Sequence, residues 1–163
     1  MENNPYSAPT SDLSEATEDL ISGNFQRFSA WWVFLLSIVT LGIYPVYWVF
    51  TRAQTANRIH EKQITAAWLV AMVALYALTF AAEFIFPEME GLYLLVNVGY
   101  LVAYLTCLFK VKNRLQDLMS KSTGSTYTLG PVLTFFFNAI YLQYKINEFI
   151  DLNQPSADQQ TAA

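Results

Sequence analysis

Polar residues set inside long apolar runs are the ones best placed to do chemistry in this chain. Glu83 closes one such run, Tyr93, Asn97, Tyr100, Tyr104 and Cys107 recur along a second, and Asn138 interrupts a third within Phe-Phe-Phe-Asn-Ala-Ile-Tyr. At about 100° per residue, the positions from Tyr93 to Cys107 fall on one helical stripe. A turn centred near Pro87 and Glu88 brings Glu83 level with Tyr93, so a hydrogen bond from Tyr93 or Asn97 to Glu83 is expected. A carboxylate within an apolar segment can mark a proton or cation path. The plainer role is structural, because Glu83 stands close to the end of its run and Tyr/Asn stripes commonly make interhelical hydrogen bonds of about 1 kcal/mol. For Asn138 the expected role is a packing hydrogen bond or a contact at a helix break.

Other chemistries find little support. A single Cys and a single His exclude a disulfide framework and a Cys/His metal site. His60, in Arg-Ile-His-Glu-Lys at 58–62, is expected to be solvated on a charged edge, and no metalloprotease, nucleophile-elbow or phosphate-loop spacing accompanies it. Cys107 reads as an inert small hydrophobe. Binding of nucleic acid needs a net basic face, whereas the net charge is −4 and the polar stretches are short and mixed in sign. No enzymatic activity, cofactor, metal or nucleic-acid partner is therefore expected.

The elements that carry these residues follow from composition. The 163 residues are 54% hydrophobic and 13% charged, where soluble domains carry about 25% charged residues. Charges are missing altogether from 28–51, 63–82, 91–109 and 122–144, and runs of about 20 apolar residues are what a helix needs to cross a bilayer. The fold expected is all-α: an integral membrane helical protein with hydrophobic segments at about 30–50, 64–86, 91–109 and 130–145. The two central segments form a spanning hairpin around the tight acidic turn at 87–90.

The outer segments are interrupted. Thr-Leu-Gly-Ile-Tyr-Pro at 40–45 places a Gly and an X-Pro step inside the first, which pushes Tyr44 from the α region and suits Pro45 to the start of a new helix. The last opens on Gly130-Pro131 and offers only a short apolar run before Lys145. Each is either a kinked span or a re-entrant helix–turn–helix. Re-entry gathers all the basic residues on one side and is the expected arrangement. A faint echo pairs Thr40 with Thr134 and Tyr47 with Tyr141, as paired interrupted segments of a repeated membrane fold would.

Basic stretches 51–63 and 110–130 should be cytoplasmic by the positive-inside rule. Arg52, Arg58, Lys62, Lys110, Lys112 and Arg114 would then meet anionic lipid, at about 1 kcal/mol each. Trp31, Trp32, Tyr44, Tyr47, Trp48, Trp68, Tyr141 and Tyr144 read as interfacial anchors. Amphipathic continuations carrying Val111, Leu115, Leu118 and Met119, and Ile146, Phe149 and Ile150, are expected to lie on the inner surface. Residues 1–27 form an acidic tail expected to be disordered, with a short interfacial turn at Leu20, Ile21, Phe25 and Phe28, and 153–163 a flexible tail. The helical membrane domain is 28–152.

The Ser-Ile-Val-Thr-Leu-Gly-Ile-Tyr string at 37–44 with Trp48, followed by the basic stretch from Thr51 and Arg52, resembles the bacterial membrane family catalogued as domain of unknown function 4234. The resemblance implies an inner-membrane helical protein and carries over no activity, cofactor or catalytic residue. The expected function is a non-enzymatic scaffold, accessory or regulatory subunit. It would contact the lipid bilayer and associate with itself or another membrane protein through the alanine face at 67, 71, 74, 77 and 81 or the tyrosine stripe. The alternative is a small transport or channel component using Glu83 and Asn97.

Overall fold

Helix is the only regular structure among the described residues. A computed structural model describes residues 21–85 and 88–153, and its helices are α1 (Ala30–Val39), α2 (Ile43–Ile59), α3 (Ala66–Ile85), α4 (Glu90–Thr123) and α5 (Pro131–Asn153). The acidic tail up to residue 20, the C-terminal tail from 154, and residues 86 and 87 at the start of the turn lie outside the described residues. Ile21 and Phe25 are both buried in the core, so the packed unit begins ahead of the boundary expected at residue 27.

Helices α3 and α4 make the expected antiparallel hairpin. The rings of Tyr76 and Tyr100 lie 5.2 Å apart, and the Cys107 thiol donates to the Trp68 carbonyl at 3.4 Å, which fixes the register along both helices. Ala66–Glu83 and Glu90–Thr123 are long and apolar enough to cross a membrane. With 20 residues, α3 is about 30 Å long. The 34 residues of α4 reach about 50 Å, so its last four turns run well past the start of α3. Gly124, at φ 63°, ends it in the left-handed region that a residue without Cβ adopts freely.

Both outer segments break and fold back. Helix α1 has 10 residues, or about 15 Å, and stops at Thr40; Leu41 (φ 51°) and Gly42 (φ 92°) then reverse the chain into α2. The reversal brings residues on either side together, with Phe28 and Tyr44 rings 6.4 Å apart and the Arg52 guanidinium 6.0 Å from the Phe25 ring. In α5 the helix is interrupted at Asn138 (φ 35°, ψ −119°). Around it Gly130 N–H donates to the Tyr141 hydroxyl at 2.9 Å, and the Tyr127 ring sits 5.9 Å from Phe149. Each interrupted segment is thus a helical hairpin whose two ends lie at the same level.

The core occupies only one end of the molecule. Trp48, Val49, Leu108, Leu115, Met119, Leu142, Ile146 and Phe149 are all buried there. The amphipathic faces expected to rest on a surface are instead turned toward one another, because α2, α4 and α5 extend side by side beyond the hairpin and bury them mutually. Toward the acidic turn α3 and α4 run as a pair in which, among the described residues, Ala82 and Val96 alone are buried.

Gly42 is the sharpest backbone demand. A Cβ there would meet the Tyr76 hydroxyl at 3.6 Å, an ordinary contact, so the cost of Gly42→Ala comes from its φ of 92°. The expected loss is about 1–2 kcal/mol, seen as a lower Tm in detergent, while Gly91→Ala, with open space around it, leaves Tm unchanged.

Candidate functional site

Two polar assemblies hold the interrupted segments, and both grow out of the need to bond backbone groups that a broken helix frees. At the first break Thr40 does double service: its Oγ1 donates to Leu36 O at 2.6 Å and accepts from Tyr44 N–H at 2.9 Å. Gly42 N–H donates to Ser37 O at 2.9 Å, and Pro45 in the first turn of α2 has no N–H to satisfy. The remaining carbonyl, Leu41 O, accepts from the Tyr76 hydroxyl at 3.1 Å. At the second break the Asn138 side chain caps its own interruption, accepting from Ala139 N–H at 2.7 Å and from the Tyr104 hydroxyl at 3.4 Å.

Between the breaks runs a ladder of rings. Tyr76 packs on Tyr100 and Tyr100 on Tyr104 at 5.9 Å, so the ladder on α3 and α4 touches the first break at one end and the second at the other. Tyr100 and Asn138, taken from the sequence as polar positions, belong to this assembly or bond to it; Tyr76 is the member that carries the first break.

The second assembly centres on Gln143, which is fully buried. Its Oε1 accepts from Trp48 Nε1 at 2.9 Å and from Arg52 Nη2 at 3.1 Å. Its Nε2 donates to Asn147 Oδ1 at 2.9 Å and to Gln26 O at 3.4 Å. Asn147 completes the set with a reciprocal pair on the Phe28 backbone, donating to its carbonyl at 2.7 Å and accepting from its N–H at 3.2 Å. The Arg52 guanidinium lies 5.7 Å from the Trp48 ring, and its buried Nε has no hydrogen-bond partner among the described residues. Burial pushes Arg52 below the ordinary arginine range, with the nearby Tyr44 and Tyr47 pulling it back up. Trp48 is therefore a buried donor rather than an interfacial anchor. Gln143 and Asn147 were not singled out in the sequence, although amides one turn apart beside Ile146 and Ile150 on the buried face were the available signal.

Other expected positions fall elsewhere. Glu83 is exposed near the acidic-turn end, and among the described residues it makes no hydrogen bond or ion pair. Tyr93 is exposed too, and the Asn97 amide donates at 2.8 Å to the Tyr93 carbonyl of its own helix. The expected bond to Glu83 is not formed, because an amide one turn from a helical carbonyl is satisfied locally. His60 is buried rather than solvated: Lys62 N–H donates to its Nδ1 at 3.0 Å, and its Nε2 stands 3.5 Å from Asp117 on α4. Of the basic residues, Arg58 and Lys62 are exposed and Lys110 lies 5.1 Å over the Trp68 ring. Lys112 is buried, and Arg114 turns toward Asp117 at 3.6 Å.

An open apolar groove of about 590 Å³ separates α2 from α3, lined by Val46, Tyr47 and Phe50 on one wall and by Val73, Ala74 and Ala77 on the other. Of the alanine face of α3, Ala74 and Ala77 open here. Among the described residues no group of three or more His, Cys, Asp or Glu side chains is placed to hold a metal ion.

The profile described as "Domain of unknown function (DUF4234)" matches residues 28–152. The chain belongs to this family. The matched stretch takes in both breaks, the tyrosine ladder and every member of the glutamine assembly except Gln26. Comparison with curated proteins and with solved structures returns no match.

Gln143→Leu orphans the Trp48 indole, leaves Arg52 without its acceptor and removes the donor to Gln26 O, while Asn147 keeps its pair with the Phe28 backbone. The expected cost is about 2–4 kcal/mol in unfolding, whereas Trp48→Phe combined with Gln143→Leu costs less than the sum of the two single changes, as a thermal double-mutant cycle in detergent will show.

Proposed function

We propose that this is an integral protein of the bacterial inner membrane, non-enzymatic, with two spans and two re-entrant hairpins, serving as a scaffold or accessory subunit. Lipid as the medium accounts for the exposure of Trp31, Trp32, Ile38, Val39, Leu41, Val70, Leu94, Leu95 and Phe136, since water-soluble monomers rarely expose contiguous apolar patches beyond a few hundred Å². The basic ends of α2 and α4 face the cytoplasm together with residues 21–28 and the end of α5, and the acidic turn at 87–90 faces outward. This placement follows the positive-inside rule and sets both breaks against the central pair, where Tyr76 bonds Leu41 O and Tyr104 bonds Asn138.

One observation carries the choice of a structural role over transport. The Tyr76 and Tyr104 hydroxyls and the Asn138 amide are spent on closing the two breaks and the Asn97 amide on its own helix, while Tyr100 joins the assembly through its ring. Glu83 stands apart from them. A partner in the membrane would meet the groove between α2 and α3, where Ala74 and Ala77 leave the backbone of α3 open to close approach.

Reporters fused at residues 1 and 163 should both read cytoplasmic, and one inserted at residue 88 should read external; an external reading at either terminus overturns the arrangement. Glu83→Gln should leave any flux through reconstituted vesicles unchanged. Ala74→Leu, which fills the groove, should weaken association measured by crosslinking in membranes at least about tenfold, the effect of roughly 1.4 kcal/mol, with Tm unaltered.

A further inference from the structure

The two halves of the molecule differ in girth. Gly99 lies against Leu75 and Tyr76 against Tyr100, so these pairs mark the middle of the α3–α4 hairpin. The first break is at this level, because Leu41 O bonds the Tyr76 hydroxyl and Gly42 faces the same oxygen. The second break stops about one turn nearer the basic end, at Tyr104. From the middle toward the basic end, α3 and α4 are therefore joined by α1, α2 and both halves of α5, six helical segments in all. Toward the acidic turn, among the described residues, only α3 and α4 remain.

Burial records the same difference. In the wide half Leu69, Met72, Ala103, Tyr104, Cys107 and Leu108 are buried, against Ala82 and Val96 in the narrow half. The added segments also present apolar surface outward: Trp31 is 79% exposed, Phe136 70% and Phe137 54%. Side chains of this kind occupy hydrocarbon, so the hairpins take up area in one leaflet that has no counterpart in the other.

We propose that the protein is a wedge that recognises membrane curvature, favouring membrane in which the leaflet on its basic side is the convex one. A body wider in one leaflet displaces more lipid there, and the mismatch is relieved where that leaflet is already expanded. Binding of amphipathic elements to one leaflet is curvature-sensitive for the same reason. The ligand is the bilayer itself, read by its shape, and the glutamine assembly keeps the wide end from splaying by tying residues 26–28, α2 and α5 together. This inference rests on the re-entrant topology proposed above.

The test uses the full-length chain with a C-terminal epitope, reconstituted into vesicles of phosphatidylethanolamine and phosphatidylglycerol with diameters of about 50 nm and about 400 nm, a range over which lipid packing differs between leaflets. The outer leaflet of the small vesicles is strongly convex. The ratio of epitopes accessible from outside to those protected should be at least about threefold higher in small vesicles than in large ones, since a bias of ~0.65 kcal/mol already gives that ratio. Phe136→Ser with Phe137→Ser, both exposed and outside the core, should lower this bias while helicity by circular dichroism is unchanged. An orientation ratio independent of vesicle size overturns the proposal, as does a bias that the double substitution leaves intact. Probes at residue 88 and at both termini in the same vesicles report separately on topology. A terminus on the same face as residue 88 sinks the re-entrant arrangement, whereas correct topology without size dependence sinks the wedge alone.

Discussion

A helix broken inside an apolar setting must find partners for the N–H and C=O groups it frees, and the architecture of this protein is organised around meeting that demand twice. Unsatisfied backbone groups away from water cost several kcal/mol each. The first break is closed from within by Thr40 and Ser37 and from outside by Tyr76. The second uses Asn138 on its own backbone and Tyr104 from α4. Both external donors are tyrosines on the central pair, so the hairpins can hold their shape only where α3 and α4 present those hydroxyls. The placement of α1, α2 and α5 against the central pair follows from it.

A second demand arises at the basic end, where segments arriving from different directions must be joined without a water-filled seam. Gln143 suits this because an amide offers acceptor and donor together. It takes protons from Trp48 and Arg52 on α2 while giving its own to Asn147 and to the backbone at Gln26. A carboxylate could answer Arg52 but not Gln26 O, and an aliphatic residue could answer none. Around this network Phe25, Leu142, Ile146 and Phe149 close the core. Local stability should therefore be concentrated at this end and thin out along the α3–α4 stem, where contacts with other elements are few.

Much of this was legible in the residues. The charge-free runs announced the central hairpin, and Gly42 announced the first break, because positive φ is a local demand that a particular residue type answers; the X-Pro step did not push Tyr44 from the α region as expected, since α2 already begins at Ile43 and its first turn accommodates Pro45. Asn138 as a break contact was readable for the same reason. The faint pairing of Thr40 with Thr134 marked two segments that both interrupt, although Thr134 bonds Gly130 O within an intact turn and the second break comes at Asn138.

What the sequence could not determine was which of these features face one another. Periodicity assigns Val111, Leu115, Leu118 and Met119, or Ile146, Phe149 and Ile150, to one face of a helix, but a face is silent about whether it meets lipid or another helix. Packing decided that they meet each other. Local polarity made His60 solvated and Trp48 an anchor, while the return of α2 alongside α4 and α5 buried both. The amino-acid order determined where the chain must be helical, where it must break and which side carries charge, since these depend on neighbours in sequence. Only the tertiary structure decided that both breaks fold back to the same end and share one tyrosine ladder, because hydrogen bonds such as those from Tyr76 to Leu41 O and from Trp48 to Gln143 join residues far apart along the chain.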